Sequence, residues 1–107
     1  MPVLLCLCTC PDPSSALALS DALVSERLAA CVSRVPGLQS TYWWQGEVEC
    51  AEETLLLIKT STDRLEALTA RVRELHPAEL PELVALEAAG GLPGYLQWVV
   101  EQTRDND

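Results

Sequence analysis

Basic residues are scarce in this sequence. Seven Lys and Arg stand against 16 Asp and Glu, which gives a net charge of -9. Nucleic acids and anionic membrane surfaces are bound through basic protein surfaces, so we expect neither as a partner. An acidic surface attracts cations, although it also keeps a protein in solution without any specific ligand.

Aromatic residues are scarce as well. They make up 5% of the chain, with three Trp, two Tyr and no Phe, so Leu, Val and Ala must fill the core. The length of 107 residues suits one domain, which we expect to cover 1–107. The apolar start lacks a basic segment and is soon followed by Asp12, so we expect no signal peptide, no membrane span and a cytoplasmic location.

Motifs of nucleotide sites and nucleophilic enzymes are missing. The chain contains no G-x-G-x-x-G, no Walker loop, no G-x-S-x-G and no C-x-x-C. His76 is the only histidine, and the sequence offers it no obvious carboxylate partner. We therefore predict that the protein is not an enzyme and uses no organic cofactor.

Five cysteines are present, and their odd number forbids complete internal pairing. In a reducing compartment we expect free thiols. Cys6, Cys8 and Cys10 alternate, so they share one face of a predicted strand. They form either a set of thiolates for a soft metal such as Cu(I) or a row of small buried side chains. Neighbours on one strand face lie about 6.5–7 Å apart, which favours burial, with Cys10 the most exposed.

Hydrophobic patterning predicts the order β-α-β-β-α-β followed by a short helix. This order indicates an α+β, ferredoxin-like fold, with an antiparallel sheet and the two main helices on one face. Ser14 or Ser15 caps the first helix, and a D-x-x-E pattern at Asp63 begins the second, which Pro77 ends. The tail from Arg104 should fray. The predicted strands cover 3–9, 31–35 with 40–44, 47–60 and 83–86.

The two central strands form one long hairpin, with an interruption at Pro36 and Gly37. Strands of about a dozen residues exceed the usual five or six, so the excess must find a partner, which we expect to be another subunit. Tyr42, Trp43 and Trp44 face alternately on this hairpin. At least one of them must pack in the core or at an interface, because three exposed aromatic residues promote association.

The charged residues on the second strand of the hairpin each have two possible roles. Lys59, the only lysine, ends an apolar stretch and either forms an ion pair across subunits or anchors an anionic ligand. Four carboxylates near the turn either gather hard cations or discourage edge-to-edge aggregation, and we favour the second. They are Glu47, Glu49, Glu52 and Glu53.

Six blocks in collinear order, from about Leu4 to Trp98, resemble the CutA divalent-cation-tolerance family. The blocks are CTCPD from Cys8, ERLAACV from Glu26, YWWQG from Tyr42, LLIKT from Leu56, HPAELPE from His76 and YLQW from Tyr95. The resemblance implies a ferredoxin-like protomer in a tight homotrimer, with hairpins that complete sheets across subunits and with Tyr42, Trp43 and Trp44 at the interface. It also implies a role in tolerance of divalent cations, above all copper.

The resemblance further implies which residues bind ligands. A family copper site made of the first-strand Cys and paired His would keep Cys8 and His76 here, with Glu79 as a further candidate ligand. Leu75 stands in place of the other His, so we expect weaker binding of Cu(I), Cu(II) or another divalent cation. His76 has the alternative role of interacting with the end of its helix.

A second function is implied because family trimers also look like PII signalling proteins, which bind nucleotides at subunit clefts. In that alternative the protein senses a small anionic molecule or nucleotide. Lys59, Glu79 and Glu82 would line the cleft, where Ala78 replaces a Tyr that is usual in the family.

Overall fold

The computed structural model describes residues 3–104, and all structural statements below refer to these residues. The predicted fraying of the tail beyond Arg104 lies outside them. The strands are β1 (Val3–Cys10), β2 (Cys31–Trp44), β3 (Glu47–Ser61) and β4 (Leu83–Glu87). The helices are α1 (Pro13–Ser25), α2 (Leu65–Leu75) and α3 (Pro93–Gln102), with a 3₁₀ turn at Thr62–Arg64.

The four strands form one antiparallel sheet in the order β2-β3-β1-β4. The helices α1 and α2 cover one face of it, which confirms the predicted α+β, ferredoxin-like arrangement. The core on this face draws its buried side chains from both central strands and both helices: Cys6, Cys8, Cys10, Leu56, Ile58, Leu19, Leu23, Leu68 and Val72.

The three cysteines of β1 are buried completely, with 0% exposure each. This confirms that they act as small core side chains. The expectation that Cys10 is the most exposed of the three was wrong. Pro13 begins α1 only three positions after Cys10, so the helix turns back over the end of the strand and covers it.

The third helix packs on the opposite face. Val3 points away from the main core and contacts Leu96 and Val99 of α3. Beside them the Thr103 hydroxyl donates a 2.9 Å hydrogen bond to the hydroxyl oxygen of Ser61. The C-terminal helix therefore covers only one end of this second face.

Two predicted helix caps were wrong. Asp12, not Ser14 or Ser15, caps α1, and its carboxylate accepts a 2.7 Å hydrogen bond from the Ser15 amide. Pro13 fits the first helical position because no intrahelical partner exists there for an amide. At α2 the chain first makes a 3₁₀ turn that contains Asp63, so the helix starts at Leu65 without a side-chain cap.

The long hairpin is present as predicted, with a register shift between Val35 and Leu38. Pro36 and Gly37 lie in this bulge, where Gly37 has a positive φ of 79°. Since β1 pairs with β3 only as far as Thr54, the remainder of the hairpin has no third strand. Residues 38–44 and 47–53 therefore form a two-stranded extension, here called the ribbon.

The face that α1 and α2 leave uncovered, here called the open face, is largely apolar. Its side chains are half-buried or exposed, and they include Leu5, Leu7, Leu55, Leu57, Val84 and Leu86. Val84 and Leu86 are 49% and 47% exposed. Among the described helices, none combines the length and the hydropathy that a membrane crossing requires.

A buried hydrogen bond between β3 and the loop after α1 gives a test of this core. The Thr60 hydroxyl, which is completely buried, donates to the carbonyl oxygen of Leu28 at 2.6 Å. We predict that Thr60→Val leaves this carbonyl unpaired and lowers the free energy of unfolding by about 1–3 kcal/mol per chain. Guanidinium unfolding at fixed protein concentration measures the change. Thr62→Val, at an exposed site, should leave it unaltered, and equal effects would contradict the prediction.

Candidate metal centre and adjoining cleft

Three potential metal ligands meet where β1 ends and the chain leaves α2. The Sγ atoms of Cys8 and Cys10 and a ring nitrogen of His76 all lie within 4.8 Å of one another, and all three residues are buried. We call this group the thiol–imidazole cluster. It contains both residues predicted as metal ligands, Cys8 and His76, and within the described residues it does not include Glu79.

The cluster adds Cys10, which the sequence analysis considered as a thiolate for a soft metal but favoured as a buried side chain. The strand spacing of about 6.5–7 Å applies to the backbone, whereas the sulfur atoms of the two side chains approach each other to within 4.8 Å. The C-x-C spacing of Cys8 and Cys10 was the sequence feature that could have indicated this pair of thiols. Side-chain direction at the end of a strand, which spacing alone does not give, decides whether such thiols converge.

The His76 ring is held by two hydrogen bonds. Its Nε2 lies 2.6 Å from the carbonyl oxygen of Thr9, and its Nδ1 accepts a 3.0 Å hydrogen bond from the Ala78 amide. Because a carbonyl can only accept and an amide can only donate, the neutral ring carries its proton on Nε2. The ring thus connects the segment after α2 to β1. Its hydrogen bonds are with Thr9 and Ala78 and not with the end of α2, which was the alternative role considered for His76.

The two thiols of the cluster differ in acidity. The hydrogen bond with Cys10, followed by burial and nearby negative charge, raises the pKa of Cys8 far above its ordinary value. The same bond from Cys8, with one from Ser15, lowers the pKa of Cys10 despite burial. Cys10 is therefore the thiol that releases its proton first.

Three carboxylates are close enough to the two thiols of the cluster to influence their pKa values. Glu82 raises the pKa of Cys8 through its charge, and Asp12 and Glu53 act in the same direction on Cys10. A negative field that opposes loss of a thiol proton favours a bound cation.

A cleft of about 790 Å³ lies between the ribbon and the segment from His76 to Glu82. Thr9 and Pro11 line its inner end, next to the cluster. Its remaining walls include Tyr42, Trp43, Trp44 and four carboxylates, namely Glu52, Glu53, Glu79 and Glu82. No Lys or Arg lines the cleft within residues 3–104, so this part of the molecule has the charge to attract cations.

The structure brings only some of the predicted cleft residues together. Glu79 and Glu82 line the cleft, whereas Lys59 lies on the open face, where its Nζ donates a 2.7 Å hydrogen bond to the Ser33 hydroxyl. Trp43 is 75% exposed, and the interface role of the three ribbon aromatics stays a prediction. Cys31 is half-buried as part of the sheet, and Cys50 is exposed on the ribbon.

Comparison with known proteins identifies the family. Residues 4–102 match the sequence profile of the CutA1 divalent ion tolerance protein family. The chain belongs to the CutA1 family. The match covers all four strands except Val3 at the start of β1, and all three helices, which agrees with the resemblance found in the sequence blocks.

Individual CutA proteins are similar over most of the chain. The divalent-cation tolerance protein CutA of Thermus thermophilus is 52% identical over 97 residues, which cover 91% of this chain and 94% of that protein. The chloroplastic protein CutA 1 of Oryza sativa subsp. japonica is 41% identical over 99% of this chain, which spans only 60% of the rice protein. The crystal structure of CutA from Xylella fastidiosa superimposes with a TM-score of 0.94 at 46% identity, covering 97% and 100% of the two chains.

The buried thiols give a prediction on pH dependence. Burial raises the pKa of Cys6 above its ordinary value of 9.0. Above about pH 9 this thiol ionises in the unfolded chain but not in the folded one, so stability that is complete below pH 9 is lost as pH rises. The loss approaches about 1.4 kcal/mol per pH unit for one group.

Urea unfolding of the wild type and of Cys6→Ala between pH 8 and pH 10.5 measures this loss. We expect the stability advantage of the wild type to shrink above pH 9. Removal of the exposed thiol, in Cys50→Ala, should give a difference from wild type that does not depend on pH. A constant difference for both variants would show that the Cys6 thiol titrates normally.

Proposed function

We propose that the protein acts in divalent-cation tolerance as a homotrimer that binds copper, or a cation of similar softness, at Cys8, Cys10 and His76. Family membership supports the general role. The convergence of two thiols and one imidazole within 4.8 Å supports the specific site. Thiolate and imidazole ligands favour Cu(I), Cu(II) and Zn(II) over hard cations.

The distances fit a shared ion after small side-chain movements. Metal–sulfur and metal–nitrogen bonds of about 2.3 and 2.0 Å allow two ligands of one ion to lie at most about 4.6 Å apart. The observed limit of 4.8 Å exceeds this by a few tenths of an ångström. Rotation of the two cysteine side chains supplies that movement without a change in the strand.

Binding also has costs in this site. The metal must displace one hydrogen bond of His76, either the one with Thr9 or the one with Ala78, and must take the proton of Cys8. A coordinated cation deprotonates a thiol by its own charge. The three carboxylates around the cluster add to the attraction, since a cation relieves their repulsion. We therefore expect binding that strengthens as pH rises, and that is weaker than in relatives with paired His.

Calorimetric titration with Cu(I) under reducing, anaerobic conditions tests the site. We predict that Cys8→Ser, Cys10→Ser and His76→Ala each weaken the affinity by more than about 100-fold, because loss of a direct ligand exceeds the effect of an outer partner. Cys50→Ser removes the exposed ribbon thiol and serves as the matched control, with unchanged affinity. Circular dichroism verifies that each variant is folded.

Equal copper affinity in the wild type and the three ligand variants would show that the thiol–imidazole cluster is not the copper site. If Cys8→Ser and His76→Ala weaken the copper affinity but Cys10→Ser does not, the ligands are only the two residues that the family resemblance implied.

The trimer is supported by two surfaces. The open face presents Val84 and Leu86 at about half exposure beside other leucines, an apolar area that a stable protein covers. The ribbon pairs only with itself, and a two-stranded hairpin alone is marginally stable in water. Contact with further copies of the chain would cover both, with Tyr42, Trp43 and Trp44 at the boundary.

Sedimentation equilibrium at low micromolar concentration tests the assembly. We predict a trimer for the wild type and dissociation for Leu86→Glu, which places a charge on the open face. Leu17→Glu on α1 is the matched control, because Leu17 is 46% exposed against 47% for Leu86. A monomeric wild type, or a trimer that tolerates Leu86→Glu, would contradict the interface.

The alternative, a PII-like sensor of an anionic molecule, would need cationic groups that the cleft of one chain does not have. Lys59 could reach such a ligand only from a second subunit. Thermal-shift titration with nucleotides and organic acids tests it, since a ligand at 100-fold excess over Kd stabilises a protein by about 2.7 kcal/mol. Stabilisation by a nucleotide, lost in Lys59→Ala, would favour the sensor over the metal site.

Four further expectations complete the proposal. The chain forms a single domain over 1–107, and it is not an enzyme, since the family description refers to ion tolerance and not to a reaction. Its location is cytoplasmic, although the rice relative is named as chloroplastic. All five cysteines are free thiols, in keeping with a reducing compartment.

A further inference from the structure

A single hydrogen bond holds the segment 77–81, which lies between α2 and β4 and forms one wall of the cleft. We call this segment the wall segment. The Ala78 amide donates to His76 Nδ1 at 3.0 Å, and within residues 3–104 the wall segment donates no other hydrogen bond. Its side chains are exposed or half-buried, and Leu80 is 74% exposed. A segment with so few contacts has low local stability, so its position depends on the bond to His76.

The chemistry of the imidazole ring makes this bond sensitive to ligation. A neutral ring has one protonated nitrogen, which donates, and one unprotonated nitrogen, which accepts a hydrogen bond or binds a cation. In His76 the proton is on Nε2, which lies 2.6 Å from the carbonyl oxygen of Thr9, and Nδ1 accepts the hydrogen bond from Ala78. The nitrogen that is free of a proton is therefore the one that Ala78 already uses.

Ligation through either nitrogen breaks the bond to Ala78. If Nδ1 binds a cation, its lone pair is no longer available to the Ala78 amide. If Nε2 binds a cation, the neutral ring must carry its proton on Nδ1, where it faces the amide proton of Ala78. Two donors cannot form a hydrogen bond, so the amide has to move away. The bond to the Thr9 carbonyl, in contrast, is lost only in the second case.

We propose that ligation of His76 releases the wall segment, so that a soft cation in the thiol–imidazole cluster changes the shape and charge of the adjoining cleft. This inference rests on the proposed function, because it needs a cation at the cluster. Once the Ala78 amide turns to solvent, Glu79, Leu80 and Pro81 leave their present positions along the cleft. The movement of Glu79 takes one of the four carboxylates with it.

The cluster and the cleft are thereby linked in both directions. A molecule that binds in the cleft and holds the wall segment as it now lies also keeps the Ala78 amide against His76 Nδ1. It must weaken cation binding by the same factor by which the cation weakens its own binding. The wall segment thus lets the protein report a bound cation to a partner at the cleft without contact between the two ligands.

NMR spectroscopy of the full-length protein labelled with ¹⁵N, with and without Cu(I) under reducing, anaerobic conditions, tests the proposal. Cu(I) has a filled d shell, so it does not broaden nearby signals as a paramagnetic ion does. We expect Cu(I) to speed the exchange of the Ala78 amide with solvent by about 3–10-fold, as for loss of one hydrogen bond, and to shift the signals of Glu79 and Leu80. The Ala88 amide, which donates to the Val3 carbonyl at 3.0 Å, is the matched control and should exchange at an unchanged rate.

A pair of variants at Ala78 tests the cost of breaking the bond. Ala78→Pro removes the amide hydrogen, so ligation of His76 has no bond to break at this position. We expect calorimetric titration to show a Cu(I) affinity about 2–10-fold higher than in the wild type. Ala78→Ser keeps the amide at the same exposed position and should leave the affinity unaltered. Circular dichroism verifies that both variants are folded.

The proposal is overturned if the wild type binds Cu(I) while the Ala78 amide keeps its slow exchange and its signal position. It is equally overturned if a folded Ala78→Pro binds Cu(I) no more tightly than Ala78→Ser. Absence of Cu(I) binding in the wild type is a different result, because it would refute the proposed metal site and this inference with it.

Discussion

The β2–β3 hairpin is so long that its outer part has no third strand to pair with, and both the assembly and the shape of the cleft depend on this unpaired part. Seven residue pairs, from Leu38–Glu53 to Trp44–Glu47, hydrogen-bond only to each other. Their outer edges present amides and carbonyls that a single chain does not satisfy. The same ribbon forms one wall of the cleft, so the shape of the candidate ligand site depends on whatever holds the ribbon in place.

The proposed metal site would depend on a balance between protein hydrogen bonds and metal ligation. His76 joins Thr9 to Ala78, and its ring lies within 4.8 Å of the sulfur atoms of Cys8 and Cys10. These hydrogen bonds hold the imidazole close to the two thiols in a buried place, where free thiolates would be costly. A bound cation would exchange these hydrogen bonds for a similar number of metal–ligand bonds. We therefore expect reversible binding rather than a permanent structural metal centre.

Most of the fold could be predicted from the sequence because hydrophobic periodicity specifies it. The order of strands and helices along the chain, the long hairpin and the burial of Cys6 and Cys8 follow from alternation and length. The caps at Asp12 and before Leu65 could not be predicted reliably, since several neighbouring residues have capping side chains and only backbone geometry chooses among them. The proposed ligand role of Cys10 depends on side-chain direction, and the separation of Lys59 from Glu79 depends on which face each residue occupies.

Hydrogen–deuterium exchange of the ribbon tests the central claim, that the ribbon is held by other copies of the chain. We predict that amides of 38–44 and 47–53 in the wild type exchange as slowly as those of the paired part of β3. In a dissociated Leu86→Glu variant they should exchange much faster, while the core around Leu56 stays protected. Rapid exchange of the ribbon in the wild type, or equal protection in the dissociated chain, would contradict this dependence on assembly.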